Sequence, residues 1–401
     1  MRTTTTIQVL FMVHATVAGD TAPPLGNTLM GHKVRLDASG KIIPWLDVPD
    51  PFADLAEMAW QYWTGAGVPV EHGHPLWYWY SSWHPGTPTG RVWPSTPASL
   101  SGYLAQVAVA QLAYSGNASA AHQMAVPYCK YVIANGTTPV DTGWAWGGMP
   151  YASADPGNLT FDGATSSRYG NASEHRGDGV GVIEPDKAAE AAWGFLLLAN
   201  ATMEPAGGPL RAAAVAVGDT LAATVRAANG THSPWPFRVY AQSGATVEEY
   251  TSNVVQALLV LDELQRQCRD IDCAAAVTLR GGGTLPRSQA YARAASIAMA
   301  WQRAFPEVNG KWTACCEDVP IDNSLTNYNS IQSLWAAQHL IATRADDWER
   351  RAASILEFVE THLIWIPTND SRAGPPVQWG ARTVSEQLQY PLKMGQCEIP
   401  P

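Results

Sequence analysis

The sequence predicts an all-α fold in which paired helices close into a ring, and three observations predict it. Apolar stretches with helical periodicity come in pairs along the chain. Long loops rich in tryptophan, glycine and proline separate the pairs. Strand-like segments are few, Phe237 to Ala241 being the clearest. Because 46% of the 401 residues are apolar, the chain can bury one large core, and we expect a single domain over residues 19–401.

Each helix is predicted from an apolar face that recurs every three to four residues, often with proline in the first turn, where its missing N–H costs little. An unpaired helix is predicted from Phe52 to Thr64. The predicted pairs are Ser99 to Tyr114 with Ala118 to Ile133, Pro185 to Ala201 with Pro209 to Arg226, Val247 to Gln267 with Pro286 to Phe305, and Ser330 to Thr343 with Asp346 to Trp365. Their spacing follows no strict repeat, which disfavours a solenoid of identical units.

Residues 1–18 have the features of a secretory signal. Arg2 supplies the positive start, Ile7 to Val13 the apolar stretch, and Thr16 to Ala18 a small-residue cleavage site. The apolar stretch is too short to cross a bilayer, and no later run reaches the roughly 18 apolar residues that a span requires. We therefore expect a secreted protein with no membrane association after signal cleavage.

Sequons and cysteines agree with secretion. Sequons for N-glycosylation begin at Asn117, Asn135, Asn158, Asn171, Asn200, Asn229 and Asn369, so we expect a glycoprotein. Six cysteines follow the signal segment, which allows up to three disulfides in an oxidising compartment. Cys268 and Cys273 form the most plausible local pair, and the other pairings stay open.

Charge and motif content exclude several kinds of partner. The formal net charge is -10 and basic residues are not clustered, which argues against nucleic acid. The glycines at positions 177, 179 and 181 follow no strand and have the wrong spacing for a dinucleotide. The H-x-H pattern of His72 and His74 in a loop, with His84 further on, is only a weak metal signal, so we expect neither a metal nor another cofactor. The oligomeric state is left open.

Candidate catalytic residues concentrate between Trp235 and Asn253. Arg238 lies in an apolar, proline-flanked context that should hold it rigidly, and Glu249, Tyr250 and Asn253 open the predicted helix that follows. Spacing of four places Glu249 and Asn253 on one helical face. The structural alternative is an acidic first turn favoured by the helix dipole, and it explains Glu248 well.

Further candidates lie in the long loops. The other catalytic candidates are His175, Tyr328 and Glu317; the substrate-binding candidates are Trp77, Trp79, Trp146, Trp235, Lys187, Glu184 and Asn327. Tryptophans in loops either line a binding cleft or cap the core beneath the loops. We favour the cleft for Trp77, Trp79 and Trp146.

Four segments carry a resemblance to a known class. They are Gly181 to Lys187, Ser233 to Val239, Trp312 to Asp318 and Tyr390 to Gly395. Together with the paired helices, they resemble the six-hairpin, or (α/α)-toroid, carbohydrate-active enzymes, and look like relatives of polysaccharide lyases that act on uronic-acid chains. The resemblance implies a toroid fold and a polysaccharide or oligosaccharide substrate. It places no catalytic motif residue by residue, and whether the last toroid helix is complete stays open.

Two reactions and one non-catalytic function are compatible with these residues. We place β-elimination first: Arg238 or Lys187, helped by Asn253, would neutralise a uronate carboxylate, and a tyrosine or histidine would remove the neighbouring proton. The second is glycoside hydrolysis, which needs two carboxylates roughly 5 to 9.5 Å apart. The acids available for it are Glu184, Asp186, Glu249, Glu317 and Asp318. A glycan-binding protein without catalysis is the third.

Overall fold

Helices dominate the computed structural model. The structure describes residues 35–36, 42–43, 68–83, 91–94, 97–116, 118, 120–140, 143–155, 159–163, 178–310, 312, 330–362, 364–365 and 380–381. Its α-helices are α1 (Pro97–Ser115), α2 (Val126–Asn135), α3 (Pro185–Ala201), α4 (Pro209–Thr224), α5 (Val255–Arg266), α6 (Arg287–Ala304), α7 (Pro306–Asn309), α8 (Ser330–Thr343) and α9 (Trp348–His362). The predicted helix at Phe52 to Thr64 lies outside the described residues.

The helices form two layers of antiparallel hairpins. In the inner layer α1 packs on α3, α3 on α5, and α5 on α8, so the first helix of each hairpin contacts the first helix of the next. In the outer layer α2 packs on α4 and α4 on α6, and the short α7 contacts both α6 and α9. This succession is the arrangement of an (α/α) toroid, and the predicted all-α toroid class is confirmed. Because each hairpin turns back on itself, the inner helices all begin at the same end.

The inner helices α1 and α3 approach closely because glycines face each other where they meet. A Cβ added at Gly194 would lie 2.7 Å from the Cα of Gly102, and one added at Gly102 would lie 2.6 Å from the carbonyl oxygen of Glu190. Alanines and larger apolar side chains fill the rest of this layer, including Phe195 and Leu196. None of the described helices is long and apolar enough to cross a membrane.

Short strands connect the helices. The strands are β1 (Arg35–Leu36), β2 (Ile42–Ile43), β3 (Val70–Glu71), β4 (His74–Pro75), β5 (Tyr80–Trp83), β6 (Arg91–Pro94), β7 (Val182–Ile183), β8 (Arg238–Tyr240), β9 (Thr246–Glu248), β10 (Ala276–Thr278), β11 (Thr284–Pro286), β12 (Ile364–Trp365) and β13 (Gly380–Ala381). Most form two-stranded antiparallel ribbons, whereas β7, β8 and β9 form one three-stranded antiparallel sheet. This sheet leads into the start of α3, and α5 begins a few residues after β9.

Helix boundaries agree with the sequence at several positions and differ at others. The segments Pro185 to Ala201 and Ser330 to Thr343 are helical as predicted. The helix predicted from Val247 begins only at Val255, because residues 246–248 pair with β8 as a strand. The helix predicted from Ala118 begins with a π-helical turn over Ala120–Ala125.

The cysteines behave partly as expected. Cys268 and Cys273 form a disulfide, which confirms the predicted local pair. Cys129 is a buried free thiol on α2 whose Sγ lies 3.6 Å from the carbonyl oxygen of Ser101. The remaining cysteines lie outside the described residues.

Candidate functional site

The three-stranded sheet brings acids to both sides of Arg238. Ile183 pairs with Val239, so Glu184 follows β7 opposite Arg238 at the start of β8. Arg238 itself pairs with Glu248 on β9. Directly opposed residues of an antiparallel pair carry their side chains on the same face. The register therefore aligns Glu184, Arg238 and Glu248 in one line, which we call the acid row.

Side-chain contacts complete the acid row. The Nε of Arg238 donates to Asp178 Oδ1 at 2.8 Å and to Glu184 Oε1 at 3.1 Å, and its Nη1 donates to Glu248 Oε2 at 3.4 Å. The guanidinium carbon lies 4.6 Å from the ring centre of Phe237. One cation thus serves three carboxylates. This is a crowded arrangement of negative charge.

The crowding is concentrated on Glu184. Burial raises the pKa of its carboxyl well above the usual range, and the neighbouring Asp178 raises that pKa further, while Arg238 acts in the opposite direction. A carboxyl group with a raised pKa stays protonated at higher pH and can donate a proton. The side chain of Glu248 is more open, at 31% exposed against 8% for Glu184. The acid row therefore combines a buried acid with a more accessible carboxylate.

Asp178 is held from a second side. The Oγ of Ser153 donates to Asp178 Oδ2 at 2.5 Å, and the backbone N–H of Asp178 donates back to the same hydroxyl at 3.2 Å. Its side chain is 3% exposed. The Asp178 carboxylate is thus held next to Glu184, where its negative charge raises the pKa of Glu184.

The first turn of α3 adds a second polar group beside the acid row. Asp186 lies in this turn, where the N-terminal dipole favours a negative charge. The backbone N–H of Lys187 donates to Asp186 Oδ1 at 2.9 Å, and the Nδ2 of Asn253 donates to Oδ2 at 3.0 Å. Lys187 Nζ lies 3.7 Å from the same carboxylate. Because α3 and α5 are neighbours in the inner layer, their N-terminal ends lie side by side. The predicted residues Glu184, Lys187 and Asn253 lie at these two ends.

Asn253 has an acceptor that no described residue satisfies. The residue is buried and its Oδ1 accepts no hydrogen bond from the part of the chain that the structure describes. It lines a narrow crevice between the starts of α3 and α5, together with Asp186, Trp235 and Thr251. An unpaired buried acceptor is costly unless water or a ligand serves it.

Tyr250 and Glu249 directly follow β9, and each has a described partner of its own. Tyr250 is 7% exposed and its ring meets Trp301 edge to face at 5.6 Å, and burial raises its pKa above the ordinary range. Glu249 pairs with Arg226 at 2.6 Å. The expected helical face of Glu249 and Asn253 is wrong because α5 begins only at Val255.

The structure also corrects the expectation of cleft tryptophans. Trp77 and Trp79 pack in a small core against Tyr128 and Phe161. Trp146 and Trp235 belong to the main core, at 1% and 2% exposed. The Nε1 of Trp235 donates to the carbonyl oxygen of Leu221 at 2.9 Å. Trp77, Trp79 and Trp146 are therefore core residues beneath the loops, and Trp235 borders only the narrow crevice beside Asn253.

Four predicted residues, His175, Tyr328, Glu317 and Asn327, lie outside the described residues and stay predictions. Conversely, Asp178 and Glu248 were not selected as site residues from the sequence, and Glu248 was explained as part of an acidic helical turn. The signal for Glu248 was present: alternation over residues 246–248 fits a strand paired with β8, which places it opposite Arg238. Asp178 had no comparable local signal, because its partner Arg238 lies 60 residues away.

Comparisons with known proteins give distant structural likenesses alone. No family model matches the chain, and no curated protein matches it. Among solved structures, an unsaturated glucuronyl hydrolase variant with the oligosaccharide dGlcA-Glc-Rha-Glc is 14% identical, with a TM-score of 0.41 and coverage of 74% of both chains. A cellobiose 2-epimerase from Spirochaeta thermophila is 12% identical, with a TM-score of 0.38, over 86% of this chain and 96% of that one. A sugar epimerase from a ruminal bacterium is 12% identical, with a TM-score of 0.34, over 86% of this chain and 100% of that one. Likeness at this distance carries no argument about activity.

Proposed function

We propose that the protein is a carbohydrate-active enzyme that hydrolyses a glycosidic bond at the acid row. The observation that carries the proposal is the grouping of Asp178, Glu184 and Glu248 on Arg238, with the pKa of Glu184 raised. Although the solved structures named above are of sugar-processing enzymes, the proposal depends on this geometry and not on their likeness.

Glu184 is the general acid in this proposal. Hydrolysis of a glycosidic bond requires a carboxylic acid that is still protonated at the working pH, so that it can protonate the leaving oxygen. Burial and the Asp178 carboxylate supply that condition for Glu184. Arg238 keeps the acid oriented through its 3.1 Å contact and becomes its counter-ion once the proton has left.

Glu248 is the second carboxylate. It lies on the same guanidinium as Glu184 but on a different nitrogen. Since their nearest oxygens lie within 3.4 Å of that guanidinium, their separation stays inside the roughly 9.5 Å upper limit for hydrolase pairs. Its greater exposure suits a base that activates water or a nucleophile that attacks the sugar.

The predicted β-elimination becomes the second candidate. It needs a cation to neutralise the uronate carboxylate, and Lys187, whose Nζ lies 3.7 Å from Asp186, is the candidate for that role. Arg238 instead accompanies three carboxylates already. Tyr250 would have to ionise, and its burial raises the cost of doing so. The described site thus supports hydrolysis more strongly than elimination.

Secretion is part of the proposal. It is supported by the signal-like residues 1–18, the sequons and the Cys268–Cys273 disulfide, a bond typical of oxidising compartments. The expected partner is a polysaccharide or oligosaccharide.

The direct test is Glu184→Gln, which keeps the shape and removes the transferable proton. The purified wild-type protein and the variant are incubated with neutral and uronic-acid-containing oligosaccharides, and new reducing ends are measured. We expect wild-type activity on at least one substrate and a loss of about 10²- to 10⁴-fold in kcat for the variant.

Glu204→Gln is the matched control. The Glu204 carboxylate accepts hydrogen bonds from the backbone N–H groups of Leu210 and Arg211. These bonds lie at the start of α4, at the opposite end of the helices from Glu184. A glutamine retains an acceptor there, so wild-type kcat is expected. Equal activity of Glu184→Gln and wild type would refute the assignment of the acid.

A further inference from the structure

An exposed aromatic ring stands beside the acid row. Among the side chains that the structure describes, Tyr103 and Tyr240 are the large aromatic residues with substantial exposure, at 42% and 48%. Tyr240 ends β8, the strand that begins with Arg238. An exposed ring of this size needs an explanation, because a soluble protein gains free energy by burying it.

The strand sets the direction of this ring. Residues two apart along a strand carry their side chains on the same face, about 7 Å from each other. Along β8, Val239 is buried whereas Arg238 is partly open and Tyr240 is exposed, as this alternation requires. Tyr240 therefore lies on the same face of the sheet as the acid row, two residues after Arg238 along β8.

The backbone under Tyr240 is fixed from several directions. Its N–H donates to the carbonyl oxygen of Ala245 at 2.9 Å, and its carbonyl oxygen accepts from the N–H of Gly244 at 2.8 Å. The next residue, Ala241, donates to Gly181 at 2.8 Å and accepts from Trp146 at 2.9 Å. These bonds fix the direction in which the Tyr240 side chain leaves the sheet, so little backbone freedom is lost when a ligand covers the ring.

We propose that Tyr240 is a sugar-stacking residue that positions the ring next to the bond cleaved at the acid row. The apolar C–H face of a pyranose fits a flat aromatic surface, and the offset of about 7 Å along the strand places the Tyr240 ring beside the acid row and not on it. The inference rests on the proposed function and deepens it: the ligand is an oligosaccharide with at least two units at the site. It also gives the protein the aromatic contact that the buried tryptophans do not provide.

The test compares Tyr240→Ala with Tyr240→Phe on the substrate that the wild-type protein hydrolyses. Loss of the ring should raise KM roughly tenfold with a smaller change in kcat, whereas phenylalanine, which keeps the ring, should retain the wild-type KM. Met203→Ala is the control for removing an exposed apolar side chain, because Met203 is 88% exposed and follows the far end of α3.

The outcomes separate this inference from the proposed function. If Glu184→Gln is inactive while Tyr240→Ala keeps the wild-type KM, hydrolysis stands and the stacking role is overturned. If no substrate is hydrolysed, the proposed function fails, and binding of wild type and Tyr240→Ala to an immobilised panel of oligosaccharides decides the stacking role. Weaker binding by Tyr240→Ala alone supports it, and equal binding or no binding by wild type overturns it.

Discussion

At the residue scale, Arg238 is outnumbered by the acids that it contacts. With all three carboxylates ionised, the group around one guanidinium would keep excess negative charge in a largely buried place. Holding a proton on Glu184 relieves that excess, since its carboxyl is deeply buried and adjoins Asp178. Catalytic acids of other enzymes obtain raised pKa values by the same two causes, burial and a neighbouring negative charge.

Two substitutions should move the pH dependence of activity in opposite directions. Asp178→Asn removes a negative charge that raises the pKa of Glu184, so the alkaline limb of the kcat/KM profile should shift to lower pH. Arg238→Met removes a positive charge that lowers this pKa, so the limb should shift to higher pH. The profiles of both variants are measured with one substrate. Shifts in the same direction would contradict the electrostatic account.

Stability should respond to Glu184 in a pH-dependent way. In the unfolded chain this carboxyl titrates near its usual 4.5, and in the folded protein its pKa is higher. Between the two values the folded state alone holds the proton, so the free energy of unfolding falls as pH rises, by at most about 1.4 kcal/mol per pH unit. Glu184→Gln has no proton to lose and should therefore melt at a higher temperature than wild type near pH 8, with little difference near pH 4. Thermal unfolding at both values checks this, and an equal effect at both would count against a raised pKa.

At the element scale, a three-stranded sheet positions the site residues, among them Glu248, which the sequence interpretation had placed on a helix. Arg238, Glu184, Lys187 and Asn253 were identifiable from glycine- and proline-rich surroundings and from the predicted starts of helices. Glu248 was assigned to a helix instead, because residues 247–254 resemble a helical first turn, and the short alternation over residues 246–248 indicates a strand only once β9 is seen to pair with β8. Local pattern cannot show that pairing, which depends on contacts between distant segments. The same limitation applied to the tryptophans, whose burial depends on the helices above which their loops pass.

The close packing of α1 on α3 gives a prediction about the scaffold. Alanine in place of a helical glycine ordinarily stabilises a protein by about 0.5 to 1 kcal/mol. At Gly194 the new methyl would meet the backbone of Gly102, so Gly194→Ala should instead lower the free energy of unfolding by about 1 to 3 kcal/mol. Gly281→Ala is the control, because nothing lies within 4 Å of the added carbon there. Chemical denaturation measures the free energy of unfolding of both variants. A Gly194→Ala variant as stable as wild type would contradict the close packing of α1 on α3.

At the scale of the whole molecule, the two layers explain where the site lies. Inner helices begin at one end, so the loops that precede them collect there, and the β7–β8–β9 sheet forms part of that end. The periodicity of the sequence was sufficient to predict the hairpins and the all-α class, because each amphipathic face is a local property. It was not sufficient to choose the reaction, which depends on which acids share Arg238.

Incorporation of water into the products tests most directly the central claim that the acid row hydrolyses a glycosidic bond. Wild type and Glu184→Gln are incubated with the active substrate in water enriched in ¹⁸O, and the products are weighed by mass spectrometry. Hydrolysis at the acid row predicts wild-type products that have gained one water, labelled with ¹⁸O, and almost none from the variant. Products lighter by one water, with the ultraviolet absorbance of an unsaturated uronic acid, would contradict hydrolysis and identify elimination.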